Sequence, residues 1–153
     1  MSKAVSQMVE GAWVKVYTLA KDDFFGVWHH GIISKIKDGE IISIIHFCSP
    51  IGNPDGINEI RETNMAWFLE NGKDAQLVKT KPKFPYSVVL ERARTQLGKG
   101  DYNLSTRNCQ HFASHCYTGN AYSTQVLVGG TAGVVVIAFG AICAIHGFAG
   151  YPW

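Results

Sequence analysis

Two β-branched runs flank an Asp-Gly pair: Val27-Trp28-His29-His30-Gly31-Ile32-Ile33-Ser34, then Lys37-Asp38-Gly39-Glu40, then Ile41-Ile42-Ser43-Ile44-Ile45-His46-Phe47. This is a strong hairpin signal, because the tight primed turn needs positive φ at both central residues. With Asp38-Gly39 as the two-residue loop, Lys37 pairs with Glu40, and counting back along both strands sets His46 opposite Gly31. His29 lies two residues from Gly31 and points to the same face. His29 and His46 then become diagonal neighbours, about 5–8 Å apart. His30 points the other way and reads as a surface or packing residue. Gly31 has no side chain and leaves room beside His46. A one-residue slip would break the arrangement.

A second stretch, Arg107-Asn108-Cys109-Gln110-His111-Phe112, opens a short apolar-periodic run that Gly119 stops. It reads as a helix with Asn108 as N-cap and Gly119 just past its end. Cys109 falls in the first turn, where the helix dipole and unpaired N–H groups lower a thiol's pKa. The competing reading is a buried core cysteine, a common fate for free Cys.

A Cys/His/His set has a clear chemical use. A thiol nucleophile needs a base, and the base needs a third group to orient it. His29 can be the base, activating Cys109 as a thiolate–imidazolium pair. His46 can hold the His29 ring through a neutral nitrogen, as Asp or Asn does in other triads. Two unrelated strand histidines remain the alternative. His111 and His115, with Cys109 and Cys116 nearby, are better read as one packed and one exposed helix residue than as a zinc cluster, so no metal site is expected.

The rest of the chain reads as a compact α+β arrangement. Ala12 to Tyr17 is a strand. Asn53-Pro54-Asp55-Gly56 is a turn. Ile57 to Ile60 reads as a short edge strand. Thr63 or Asn64 can cap a short helix through Met65–Leu69, ended by Gly72. Ala75 to Lys79 reads as another strand. Lys79, Lys81 and Lys83 alternate as a solvated edge, with anionic lipid headgroups as an alternative partner. Ser87 can cap a helix to Leu97, with Val89, Ala93 and Leu97 on one face and Gly98 at its end.

Composition bounds these readings. A chain of 153 residues suggests one ordinary domain. A net charge of +2 gives no argument for a nucleic-acid partner. Every Lys, Arg, Asp and Glu lies in residues 1–107. Cys48, Cys109, Cys116 and Cys143 form no CxxC pair or disulfide framework, and Met1 to Glu10 lacks an apolar signal-peptide core. A reducing compartment is therefore expected.

Several of these pieces occur together in one known family. His29-His30-Gly31-Ile32-Ile33, Ile45-His46-Phe47, Tyr102-Asn103-Leu104 and Asn108-Cys109-Gln110-His111-Phe112-Ala113 resemble the lecithin–retinol acyltransferase family, including its H-Ras-like-suppressor (H-box/NC) phospholipid acyltransferases and phospholipases. Order and spacing agree from about Gly11 to Tyr122. The order His, His, Cys is the permuted one of this family. The resemblance implies a papain-like α+β fold, with an antiparallel sheet and packed helices. It also implies Cys109 as nucleophile, His29 as base and His46 as third member, with no cofactor. Gln110 stands where the family usually has Glu, which keeps hydrogen bonding and removes a charge.

The last segment, Val126 to Ala149, is uncharged and exceeds the roughly 20 residues needed to span a bilayer. Gly133, Gly140 and Gly147 recur every seven residues, and Gly129 with Gly133 makes a GxxxG, a seam suited to helix–helix contact in lipid. Tyr151 and Trp153 fit an interfacial end. A buried core helix is the alternative. The expected organisation is an N-terminal tail (1–10), a catalytic domain (11–122) and one C-terminal transmembrane helix (126–149), with the domain on the cytoplasmic side. The expected function is a membrane-tethered, thiol-dependent phospholipid acyltransferase or phospholipase A, with phospholipid as substrate. The alternative is a non-enzymatic interaction or membrane-remodelling protein, as the resemblance to picornaviral H-box/NC proteins implies. A cysteine peptidase or amidase is weaker, because a lipid anchor gives it no advantage.

Overall fold

The computed structural model describes residues 8–19, 26–50, 56–69, 72–101 and 108–123. Its elements are β1 (Trp13–Leu19), β2 (Gly26–Lys37), β3 (Glu40–Cys48), β4 (Glu59–Asn64), α1 (Met65–Leu69), β5 (Lys73–Leu77), α2 (Tyr86–Thr95) and α3 (Cys109–Thr118). The five strands form one antiparallel sheet in the order β4-β3-β2-β1-β5. This is the mixed α+β class expected from the sequence. Among the described residues no helix is long and apolar enough to cross a membrane. The segment expected to do so, 126–149, lies outside the described residues, as do most of the expected turn at Asn53-Pro54-Asp55-Gly56 and the motif Tyr102-Asn103-Leu104.

The β2–β3 turn has the geometry its sequence demands. Asp38 has φ 52° and Gly39 has φ 80°, the left-handed pair of a primed two-residue turn. Lys37 pairs with Glu40, and at the far end Gly31 pairs with His46. The ladder shifts locally at Lys35↔Ser43 and then recovers at Ile33↔Ile44. The register at the histidines is therefore the one expected from the turn.

The sheet buries both faces. On one, Trp13, Ile32, Ile45, Phe47 and Ile60 pack beneath α2 and α3, which contribute Val89, Leu90, Ala93, Cys109, Phe112, Ala113, Cys116 and Tyr117. On the other, Val14, Val16, Ile33 and Ile44 pack with Ala12 and with Phe68 of α1. Each Val, Leu, Ile or Phe among them stabilises by about 1.5–3 kcal/mol on full burial, so both faces are fixed and the register with them. The outer edge of β4 is closed by the segment after α2: Ile60 N–H donates to the Lys99 carbonyl (2.9 Å), and Gly98 N–H donates to the Ile60 carbonyl (2.9 Å).

Four local expectations need correction. The edge strand runs over Glu59–Asn64 rather than Ile57–Ile60, because it pairs with β3 as far as Ser43↔Asn64. The last strand is Lys73–Leu77 rather than Ala75–Lys79, with Val14↔Leu77 its last pair to β1. Lys79, Lys81 and Lys83 therefore stand exposed beyond that strand. Helix α2 is preceded by Pro85, which makes no side-chain cap, and Ser87 lies inside the helix. Leu97 is exposed, since α2 gives way to a turn before it and Leu90 takes the place on the buried face.

Gly31 shows how tightly the centre is packed. A Cβ there would lie 2.5 Å from Ile44 Cγ2, 3.0 Å from Phe68 Cε2 and 3.1 Å from the Ile45 carbonyl oxygen. The space expected beside His46 is thus filled by a phenyl ring and an isoleucine. Gly31→Ala should destabilise the fold by about 1–3 kcal/mol, the usual overpacking cost. Urea unfolding gives the check, and an unchanged midpoint would show that Phe68 and Ile44 yield freely.

Candidate active site

Asn108 caps α3 as its sequence predicts. Its side-chain oxygen accepts from Gln110 N–H (2.9 Å) and His111 N–H (3.0 Å). His111 Nδ1 accepts from Asn108 N–H (3.2 Å), which completes a capping box with histidine in the place usually held by Glu or Gln. At the other end Gly119 takes φ 83° and its N–H donates to the His115 carbonyl (2.9 Å). Cys109 is thereby held at the first helical position, 7% exposed. Its Sγ donates to the Trp28 carbonyl at 3.8 Å. That carbonyl belongs to the start of β2, before the β3 ladder begins at Gly31.

The two histidines meet as the hairpin register requires. His29 Nε2 lies 2.7 Å from His46 Nδ1. Their rings are nearly perpendicular at 75°, with centroids 4.9 Å apart. Phe68 packs on both rings, 5.1 Å from each. On its far side His46 Nε2 lies 2.7 Å from Thr63 Oγ1. Sequence reasoning took Thr63 as a possible helix cap. In the structure Asn64 does the capping, accepting from Trp67 N–H at 2.9 Å, and Thr63 is released to bond His46. The missing signal was the register of β4 on β3, which no local pattern supplies.

His30 takes the packing role. It is buried on the opposite face, and Trp13 Nε1–H donates to its Nδ1 at 2.9 Å. His115 lies against Arg92, whose guanidinium donates to the His115 carbonyl at 2.9 Å. Gln110 is buried, and its Oε1 accepts from Ser123 Oγ–H at 2.9 Å, while Asn108 Nδ2–H donates to the same hydroxyl at 3.2 Å. A neutral amide fits this buried place without a counter-charge. A cavity of about 400 Å³ opens along β4, lined in part by Arg61 and Thr63. It touches the histidine chain only through Thr63.

Burial governs the electrostatics. It holds His29 down to about 4. His46 is held well below its ordinary value, first by burial and then by neighbouring His29, with a backbone bond at Phe47 partly opposing. Burial, then His29 and Lys15, brings His30 to about 3. Near neutral pH all three rings are uncharged, so His29 can accept a proton. Burial also pushes the Cys116 thiol up to about 12, which leaves it inert. Burial thus favours the neutral form of the His29–His46 pair.

Residues 7–122 match the family model of lecithin retinol acyltransferase, well over half of the chain. The chain belongs to this family. No curated protein matches it. The family assignment points to acyltransferase- or phospholipase-type function in lipid metabolism. The structure brings His29 and His46 together. It brings Cys109 to Trp28, the residue before His29, while the two rings lie on the face that carries Phe68.

The buried imidazoles make stability depend on pH. The unfolded chain binds protons below about pH 6.5, whereas folded His29 and His111 wait until about 4 and His30 until about 3. Stability is thus complete above pH 6.5 and falls as pH drops toward 4, by about 1.4 kcal/mol per pH unit for each such histidine. Urea midpoints measured between pH 7.5 and 4.5 should fall more steeply than a single histidine allows. A flat profile would mean that the folded chain takes up these protons.

Proposed function

We propose that this family member is a thiol-dependent phospholipid acyltransferase or phospholipase A of the H-Ras-like-suppressor type, on a permuted papain-like core. The observation that carries the reading is the 2.7 Å bond from His29 to His46, with Cys109 at a capped helix start beside Trp28. His29 takes the Cys109 proton as sulfur attacks the ester carbonyl of a lipid. The leaving alcohol takes that proton, and the acyl group stays on sulfur as a thioester. An amine, a lysolipid, an alcohol or water then gives a proton to His29 and removes the acyl group, and that proton passes to the Cys109 sulfur as the thioester breaks. His46 orients the His29 ring through its neutral Nδ1. The N–H groups of Gln110, His111 and Phe112 are engaged by Asn108. An oxyanion therefore draws on donors other than these three.

The uncharged segment 126–149 supports a single-pass membrane anchor that holds the domain against its substrate on the cytoplasmic side, with Gly133, Gly140 and Gly147 as a seam for helix association. One observation favours a second, non-enzymatic reading as an interaction or membrane-remodelling protein. Cys109 packs in the cluster of α2 and α3, whereas both rings pack against Phe68 on the other face.

Intact mass after incubation with phospholipid vesicles separates the two. An acyl adduct should appear on the full chain and vanish in Cys109→Ala, while Cys48→Ala and Cys116→Ala keep it. Full lipid turnover by Cys109→Ala would sink the enzyme reading at this site. His29→Ala should cost roughly 10³-fold or more, as loss of a triad base does.

The anchor has its own test. Removing residues 126–153 should leave hydrolysis of dispersed short-chain esters intact and reduce activity on vesicles far more, since tethering supplies effective concentration. Release of the full chain by carbonate extraction would show that the tail does not span a bilayer.

A further inference from the structure

The buried polar chain that begins at His29 ends on a backbone carbonyl, and that end fixes its direction. Thr63 Oγ1 lies 3.1 Å from the Asn64 carbonyl and 2.7 Å from His46 Nε2. A carbonyl oxygen can only accept, so the single hydroxyl proton of Thr63 goes to Asn64. With that proton on Asn64, the hydroxyl meets His46 with a lone pair and the hydrogen of that bond sits on His46 Nε2. A neutral imidazole has one N–H, which leaves His46 Nδ1 bare. Since His46 Nδ1 lies 2.7 Å from His29 Nε2, the hydrogen in that bond comes from His29. The bare nitrogen of His29 is then Nδ1.

We propose that Thr63 is a positioning residue that, anchored on the Asn64 carbonyl, sets both histidine tautomers and leaves His29 Nδ1 as the atom that receives the thiol proton. The catalytic part of this inference rests on the reading of Cys109 and His29 given above. The direction of the chain rests on the Thr63–Asn64 contact and the two short contacts that follow it. His46 is fully buried, and Phe68 packs on both rings. The direction also survives the reaction. When His29 gains a proton at Nδ1, its Nε2–H still donates to His46, and no other hydrogen has to move. Such a preset arrangement avoids reorganisation at the moment of transfer.

The test uses the full chain in detergent micelles, labelled with ¹⁵N at histidine. Long-range ¹H–¹⁵N correlations should show His29 and His46 both as the Nε2–H tautomer. An Nδ1–H signal at His29 would overturn the proposal, whatever the enzymology. Thr63→Val removes the hydroxyl while keeping the shape. It should drive His46 out of the Nε2–H form and lower kcat on a dispersed ester by roughly 10–100-fold, the usual scale for a lost outer partner, with KM little changed. Thr63→Ser should restore both the tautomer and kcat, which a purely structural role for the threonine methyl would not allow. Unchanged kcat and unchanged ring signals in Thr63→Val would also overturn it. Should Thr63→Val fail to fold, the wild-type spectrum and Thr63→Ser still decide. A chain with the expected tautomers and no thioester chemistry would refute the enzyme reading and leave the directed chain standing.

Discussion

The turn at Asp38-Gly39 sets the register of the central β2–β3 ladder, and the histidine pair exists only in that register. Both turn residues occupy left-handed backbone, which a primed turn requires and an Asp-Gly pair tolerates. From Lys37↔Glu40 the pairing carries through to Gly31↔His46 despite a local shift at Lys35. Both faces of the sheet are buried, so a slip by one residue would drive isoleucines out of one core and histidines into the other. Packing and turn chemistry thus enforce one answer. The 2.7 Å bond between the rings is its consequence.

Under the proposed mechanism, an imidazole as third member suits this setting. Phe68 lies on both rings, and an uncompensated carboxylate there would carry a large desolvation cost. A neutral His46 orients His29 without placing a charge in the apolar face. The same burial depresses His29 and favours its neutral ring, which under the proposed mechanism gains its charge only as the thiol loses a proton. Charge then appears as a pair on sulfur and imidazole rather than as an isolated ion.

The start of α3 serves several ends at once. Asn108 and His111 satisfy one another in a capping box, and Ser123 ties Asn108 to Gln110 from the following segment. A helix start fixed in this way holds Cys109 in place, while Cys116 one face deeper is kept protonated by burial. Cys109 instead meets the Trp28 carbonyl, where strand β2 runs on beyond its β3 partner.

The sequence by itself determined the hairpin, its register, the caps of α3 and the face shared by His29 and His46. These depend on contacts a few residues apart or on the strict two-residue period of a strand, so local chemistry is sufficient. It also carried the family, since the order and spacing of the four motifs survive without coordinates. What only the tertiary structure decided involves partners far apart in the chain. Thr63 reads locally as a helix cap, yet the pairing of β4 with β3 turns it to His46 and gives the cap to Asn64. Phe68 reads as one apolar residue of a short helix, yet it roofs both imidazoles and fills the space above Gly31. Cys109 reads as a helix-start thiol, and only the packing of α3 shows that it meets the strand through Trp28. Strand order and helix docking set these contacts through many weak apolar interactions summed over the whole core, and no single stretch of sequence contains that sum.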